Sequence, residues 1–230
     1  MNQEELKREI TDLVFAELGR MGIAVADRDL FEVPVSVSGR HLHLSRADMD
    51  ALFGPGSELT KIKDISQPGQ YASEQRVTLV GPKGRIEGLR VLGPLRKESQ
   101  VELAASDARR IGLKLPVRAS GNLAGTPGAV LEGPRGSVQL AQGCIIAERH
   151  IHMTPAQATQ RGVRDGQRVR VEIGGEKAGV LDAVYVHVRA DFAYDMHIDA
   201  DDGNAFLVET GCHGRILTES GEAMRGGDSR

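Results

Sequence analysis

A change of hydrophobic period near residue 33 constrains the fold more than any other feature of this chain. Ahead of it, residues 2–21 (NQEELKREITDLVFAELGRM) place Leu6, Ile10, Leu13, Val14, Leu18 and Met21 at spacings of three and four, which predicts an amphipathic helix. Glu4 and Glu5 stand where the helix dipole favours acids, and Gly19 and Gly22 can end the helix. From residue 33 the period is two: Val33, Val35 and Val37 alternate with Pro34, Ser36 and Ser38. Short strand-like runs come next: RVTLVG, RIEGLRVLG, AVLEG, SVQLAQG, CIIAERHIHM, RVRVEIG and VLDAVYVHVRA. Gly-Pro and Gly-Gly pairs punctuate them, and the chain's 28 glycines and nine prolines supply the turns. Such a pattern folds as a mainly β body, one or two barrels with small helical caps, behind a helix and linker. The leading helix either docks on its own body or lays its apolar stripe in a partner's groove.

Composition removes several function classes. The net charge of −3 gives no basic coat for nucleic acid, and with 3% aromatic residues and no Trp there is no platform for stacking bases. No apolar run approaches the ~20 residues of a membrane span. Two cysteines, Cys144 and Cys212, are too few for a disulfide scaffold, which predicts reduced thiols in a cytosolic setting. Neither belongs to a recognisable Cys–His motif. Walker loops, G-x-G-x-x-G after a strand and G-x-S-x-G elbows are also missing.

Histidine is concentrated. Four of the seven lie in two copies of one phrase, RHLHLS at 40–45 and RHIHMT at 149–154. On a helix, positions i and i+2 point apart; on a strand they share a face, roughly 6.5–7 Å apart along the chain. Each phrase then offers two imidazoles to one divalent metal. A single His-x-His is most often structural, but two, each after Arg and before a helix cap, point to paired sites. Ser45-Arg-Ala-Asp48 and Thr154-Pro-Ala-Gln157 both read as helix starts. A second repetition couples VTLVGPKGRIEGL with VLEGPRGSVQL, each a strand, a turn and a strand.

A third ligand is needed at each site. His187, in a Val/Tyr/Val strand, reads as a solvent-facing or packing residue, and His213 lies in a Gly-flanked tail. His197, among acids in YDMHIDADDGNAF, is the best partner for His150 and His152. Setting QVELAASDAR in register with DMHIDADDGN puts Glu102 at the place of His197, although most glutamates are simply solvated. Two unlike triads result, His41-His43-Glu102 and His150-His152-His197. Arg96, six residues before Glu102, can hold a phosphate with its fork of donors. Lys83 in the GPKG turn and Arg90 could meet anions, though turn lysines are usually just exposed.

The stretches VPVSVSGRHLHLS, LFGPGSELT, ISQPGQYASEQRVTLVGPKG, RVLGPLRKESQVELAASDARRIG, RHIHMTP and DMHIDADDGNAF together resemble the PduL-type phosphate propanoyltransferases of bacterial microcompartments, over about residues 31–217. The resemblance implies reversible transfer of a propanoyl or acetyl group between coenzyme A and phosphate. It implies two zinc ions, one on His41, His43 and Glu102, the other on His150, His152 and His197. Arg96 matches the phosphate-binding arginine, and Val37, Ser38, Gly39, Lys83, Arg90 and Asn204 match positions that contact CoA. It implies two β-barrels, a central one over 40–148 and another from 31–39 with 149–218, followed by a tail over 219–230. Residues 1–24 correspond to an encapsulation peptide that would carry the enzyme into a cytoplasmic microcompartment by its shell or core proteins. A homo-oligomer is expected. Two rivals remain at this point: a zinc-dependent hydrolase of small esters or phosphoesters, and a non-catalytic β-barrel with structural metals.

Overall fold

Two sheets share this chain, and the chain changes from one to the other at each His-x-His phrase. The structure, a computed structural model, describes residues 29–217. The helix expected over 2–21 and the tail over 219–230 lie outside the described residues. The described residues divide between Glu32 and Val33 into two units. Asp29–Phe31 is a 3-10 turn in the first, and the strands from Val33 onward lie in the second.

The elements run β1 (Glu32–Ser38), β2 (His41–His43), α1 (Arg46–Phe53), β3 (Lys61–Asp64), β4 (Tyr71–Gly81), β5 (Gly84–Gly93), β6 (Gln100–Glu102) and α2 (Ala105–Arg110). Next come β7 (Val117–Arg118), β8 (Val130–Glu132), β9 (Ser137–Gln139) and β10 (Cys144–Ala147). The last are β11 (His150–Met153), α3 (Pro155–Arg161), β12 (Arg168–Ile173), β13 (Gly179–Val188), β14 (Asp195–Asp199), α4 (Ala200–Phe206) and β15 (Cys212–Leu217). The fold is mainly β with short helices, as the period-two pattern requires.

Six strands close a barrel in the order β1-β14-β11-β13-β12-β15. The other nine form a curled half-barrel, β7-β10-β6-β2-β5-β4-β8-β9, with β3 paired to β4. Of the two barrels expected, then, one is fully closed and the other curls without closing. The strand preceding each histidine strand belongs to the opposite sheet. β1 lies in the closed barrel and leads into β2 of the half-barrel; β10 lies in the half-barrel and leads into β11 of the barrel. The phrases sit at these two crossings.

Alternation decides what each strand buries. Val33 and Val35 of β1 are buried, as are Leu42 between the histidines of β2 and Ile151 between those of β11. The half-barrel core gathers Leu42, Leu44, Met49, Leu52, Leu79, Leu89, Val101 and Leu131, among others. In the barrel strands Val171, Ile173, Val184, Val186 and Met196 are fully buried. Because side chains alternate across a strand, burying Leu42 and Ile151 turns the flanking histidines to the opposite face.

Both helix starts are where the sequence puts them. Thr154 and Gln157 make a full capping box on α3, with Pro155 at its first position. At α1, the Asp48 amide donates to Ser45 Oγ at 3.1 Å, but the Asp48 carboxylate accepts from the Ser45 hydroxyl rather than reaching back to the cap amide. That amide donates to Ser99 Oγ at 2.9 Å instead. The similarity of VTLVGPKGRIEGL to VLEGPRGSVQL is local: the first is the β4–β5 hairpin, the second the β8–β9 hairpin, and β4 pairs directly with β8. Across the two halves the counterpart of β4–β5 is β12–β13. β5 runs parallel to β2 as β13 runs parallel to β11.

Candidate active site

The two histidine strands pair with the two third-ligand strands in the same register. In the antiparallel ladder of β2 and β6, His41 stands opposite Glu102 and His43 opposite Gln100. In that of β11 and β14, His150 stands opposite His197 and His152 opposite Asp195. The sequence alignment of QVE with DMH is therefore a ladder register. Each triad offers three ligand atoms within 4.8 Å of one another.

Ring orientation follows from the crossings. The Nδ1 of His41 lies 2.9 Å from the Gly39 carbonyl, and that of His150 lies 2.8 Å from the Glu148 carbonyl. With Nδ1 donating to those carbonyls, Nε2 is left as the free lone pair. For the second histidine of each phrase the situation inverts. The Nδ1 atoms of His43 and His152 are buried with no hydrogen-bond partner. A buried nitrogen lone pair without a partner is costly unless a cation takes it, and both residues belong to the triads. The donor sets fit divalent metal: neutral imidazoles at both sites, with a carboxylate at one.

Electrostatics support that reading. Burial pushes His43 down to about 3, with Arg96 and His41 adding to the effect. Burial likewise takes His150 to about 4 and His152 to about 2, each helped by neighbouring imidazoles. These rings are neutral at ordinary pH and available as ligands. At the first triad, burial opposes charge, yet the Glu102 carboxylate 3.5 Å from Nε2 holds His41 above its ordinary value. Burial also opposes ionisation of Glu102, but His41, His43 and Arg96 outweigh it and hold the carboxyl well below the usual range.

Both triads face one cavity of about 460 Å³ at the seam between the sheets. Arg96 lines it too, with Nη1 donating to Ser120 Oγ at 3.0 Å. Its amide donates to the carbonyl of Leu44, inside the first phrase. Of the positions matched to CoA contacts, Ser38 and Gly39 line the cavity, while Val37, Lys83, Arg90 and Asn204 are not among its lining residues. Val37 is next to Ser38 on β1, and its amide donates to Thr210 Oγ1 at 2.9 Å. Asn204 is exposed on α4. Arg90 stands opposite His41 on β5 and donates to the Ser73 carbonyl. Lys83 is at the β4–β5 turn, its amide bonded to the Ile111 carbonyl at 2.9 Å.

Several residues at the site carry no signal in the motifs themselves. Asp195, two before His197 on the same strand face, is buried and places Oδ2 3.0 Å from His197 Nε2. It accepts from Ser36 at 2.7 Å, and Ser66 stands 3.1 Å from the same His197 nitrogen. Gln100, two before Glu102, donates to Glu102 Oε1 at 2.5 Å and to Ser120 Oγ at 2.8 Å. The i−2 spacing is the available signal: on a strand it marks the residue beside each third ligand. His187 corrects the expectation of a solvent-facing or quietly packed ring. It lines the cavity, opposite His152 in the ladder, with its ring centre 5.7 Å from that of His150. Leu92 takes the corresponding position beside His43.

Comparison with known proteins decides the family. The family model described as phosphate propanoyltransferase matches residues 34–209. This chain belongs to the phosphate propanoyltransferase family. It is 47% identical over 215 residues to the phosphate propanoyltransferase of Rhodopseudomonas palustris (strain BisB18), covering 91% of this chain and 95% of that protein. It is 48% identical over 198 residues to that of Listeria monocytogenes, covering 85% and 93%. It is 52% identical over 178 residues to that of Thermotoga maritima, covering 77% and 85%. As a member of the phosphate propanoyltransferase family the chain is an acyltransferase with phosphotransacylase activity.

Proposed function

We propose that this chain converts a short acyl-CoA and phosphate to acyl phosphate and CoA, reversibly, with two zinc ions in the seam cavity. The reading is carried by one observation: both triads and Arg96 open onto the same cavity. His41, His43 and Glu102 would hold one ion and His150, His152 and His197 the other. Zinc at such three-ligand sites supplies Lewis acidity and an open position compatible with thiolate or phosphate oxygen.

The chain's own groups do the rest. Arg96, steadied by Ser120, binds phosphate through charge-assisted bonds and offsets its charge. A phosphate oxygen attacks the thioester carbonyl, the new C–O bond forms, the C–S bond breaks, and CoA departs as thiolate. Phosphate is largely dianionic near neutrality, so the attack needs no dedicated base. Leu92, Leu103 and Ile198 line the cavity and limit water around the reacting carbon. Ser38 and Gly39 would meet the near end of CoA, with Val37, Lys83, Arg90 and Asn204 serving its more distant parts. Cys144 is no candidate nucleophile: it is fully buried, outside the cavity lining, and burial pushes its thiol up to about 12. The proposed transfer is direct, in a ternary complex. Propanoyl and acetyl differ by one methylene, worth only ~1–3 kcal/mol in discrimination, so both are expected substrates.

The test is CoA release from propanoyl- and acetyl-CoA, with and without phosphate, before and after chelation. Release should require phosphate, stop on chelation and return with zinc, at two zinc per chain. Release without phosphate would identify a hydrolase instead. Full activity with less than one metal per chain, or an isolable acyl-enzyme, would overturn the proposed chemistry. The further proposals, a homo-oligomer and delivery into a microcompartment by residues 1–24, are tested by sedimentation and by shell co-purification of a chain lacking them.

A further inference from the structure

The leading arginine of each phrase has no place in the metal triads, yet it occurs twice. The structure shows what both copies touch. Each third-ligand strand runs directly into a helix: β6 ends at Glu102 and α2 begins at Ala105; β14 contains His197 and α4 begins at Ala200. The acid five residues beyond the third ligand, Asp107 or Asp202, lies on that helix. Arg40 Nη1 reaches Asp107 Oδ1 at 3.2 Å and Oδ2 at 3.4 Å. Arg149 grips Asp202 with two prongs, Nε to Oδ2 and Nη2 to Oδ1, both at 2.8 Å.

We infer that Arg40 and Arg149 are positioning residues, each locking the arm that carries its triad's third ligand against the arm that carries the other two. This rests on the two-metal reading above. Ion pairs at a protein surface usually contribute little, but a bidentate Arg–carboxylate pair with a shielded acid is the exception. Asp107 and Asp202 are 16% and 15% exposed. The ladder between the arms is short: three residue pairs in each half. With so few ladder bonds, a clamp just outside them fixes the angle between the arms. The two clamps are unequal, a two-pronged fork at the three-histidine site and a longer, single-nitrogen contact at the His-His-Glu site. The helices they hold also meet: Ser106 Oγ and its amide donate to the Asp201 carboxylate at 2.5 and 2.8 Å, which supplies the cap that Ala104 cannot.

The experiment measures zinc and cobalt(II) affinity of the full chain by chelator competition, with the cobalt absorption band reporting ligand geometry. Arg149→Ala and Asp202→Asn should each weaken one of the two ions about 10-fold and shift its cobalt band, in the range typical of lost outer-sphere support. The double variant should be no weaker than either single one. Arg149→Lys, which keeps the charge but not the fork, should fall between. Arg40→Ala should weaken the other ion by a smaller factor. Wild-type affinity in the single variants, or additive losses in the double variant, would overturn the inference. A wild-type chain that binds no metal would instead sink the two-metal reading itself. Circular dichroism melts separate loss of a clamp from loss of the fold.

Discussion

His41 and Glu102 face each other as an antiparallel pair, imidazole Nε2 3.5 Å from carboxylate Oε2, at the floor of the seam cavity. The pair's two titrations are shifted apart, and in the metal-free chain each group stabilises the other's charge. For Glu102, held low, the contribution is present above the ordinary carboxylate pKa and is lost as pH falls through the folded value. For His41, held high, it is present below the ordinary imidazole value and is lost as pH rises through the folded one. The pair therefore stabilises chelated protein most between about pH 4.3 and 6.5. Urea denaturation across that range should show this maximum, and Glu102→Gln should flatten it. A profile unchanged by the substitution would disprove the pairing.

The charge of Arg96 acts on His41, His43 and Glu102 alike, and its loss should show in phosphate use. Arg96→Gln removes a charge-assisted bond worth ~1.5–3 kcal/mol, so kcat/KM for phosphate should fall roughly 10- to 100-fold. Metal content should stay at the wild-type value. Steady-state kinetics with varied phosphate, beside zinc analysis, checks both.

Leu42 and Ile151 hold the histidine strands from behind. Each is fully buried, so truncation leaves a cavity under a His-x-His strand. Leu42→Ala and Ile151→Ala should each cost about 2–5 kcal/mol, measured by denaturant titration of the zinc-loaded protein. Ile62, on β3 and 52% exposed, provides the contrast: Ile62→Ala should change stability by less than ~0.5 kcal/mol.

Thiol reactivity separates the two cysteines. The thiolate is the reactive form, and burial pushes Cys144 up to about 12, so almost none is ionised near neutrality. Cys212 is only partly buried. A disulfide reagent should titrate at most one thiol in the native chain and two after unfolding. Rapid native labelling of both would contradict the packing around Cys144.

Much of the site is legible in the sequence because its chemistry follows strand geometry. The alternation that buries Leu42 and Ile151 is the same alternation that aligns the histidines, so hydropathy and ligand spacing say the same thing. The QVE and DMH segments align because they occupy the same ladder register in two related halves. Residues beside the ligands are less visible. Asp195 and Gln100 are ordinary polar residues until the ladder brings them against His197 and Glu102. Ser66 reaches His197 across 131 positions of sequence, and no local period encodes that contact. His187 reads as one more residue of a Val/Tyr/Val strand; only the parallel pairing of β13 with β11 turns it into the cavity.

Local sequence thus determined the short strands, the capped helix starts and the two His-x-His clips, since each depends on neighbours within a few residues. Tertiary structure alone decided that one sheet closes while the other only curls, and that the chain crosses between them at both phrases. It also decided that two triads whose His-x-His phrases lie more than a hundred residues apart share one cavity. These depend on which strands pair, and strand pairing is settled by burying the whole apolar face at once.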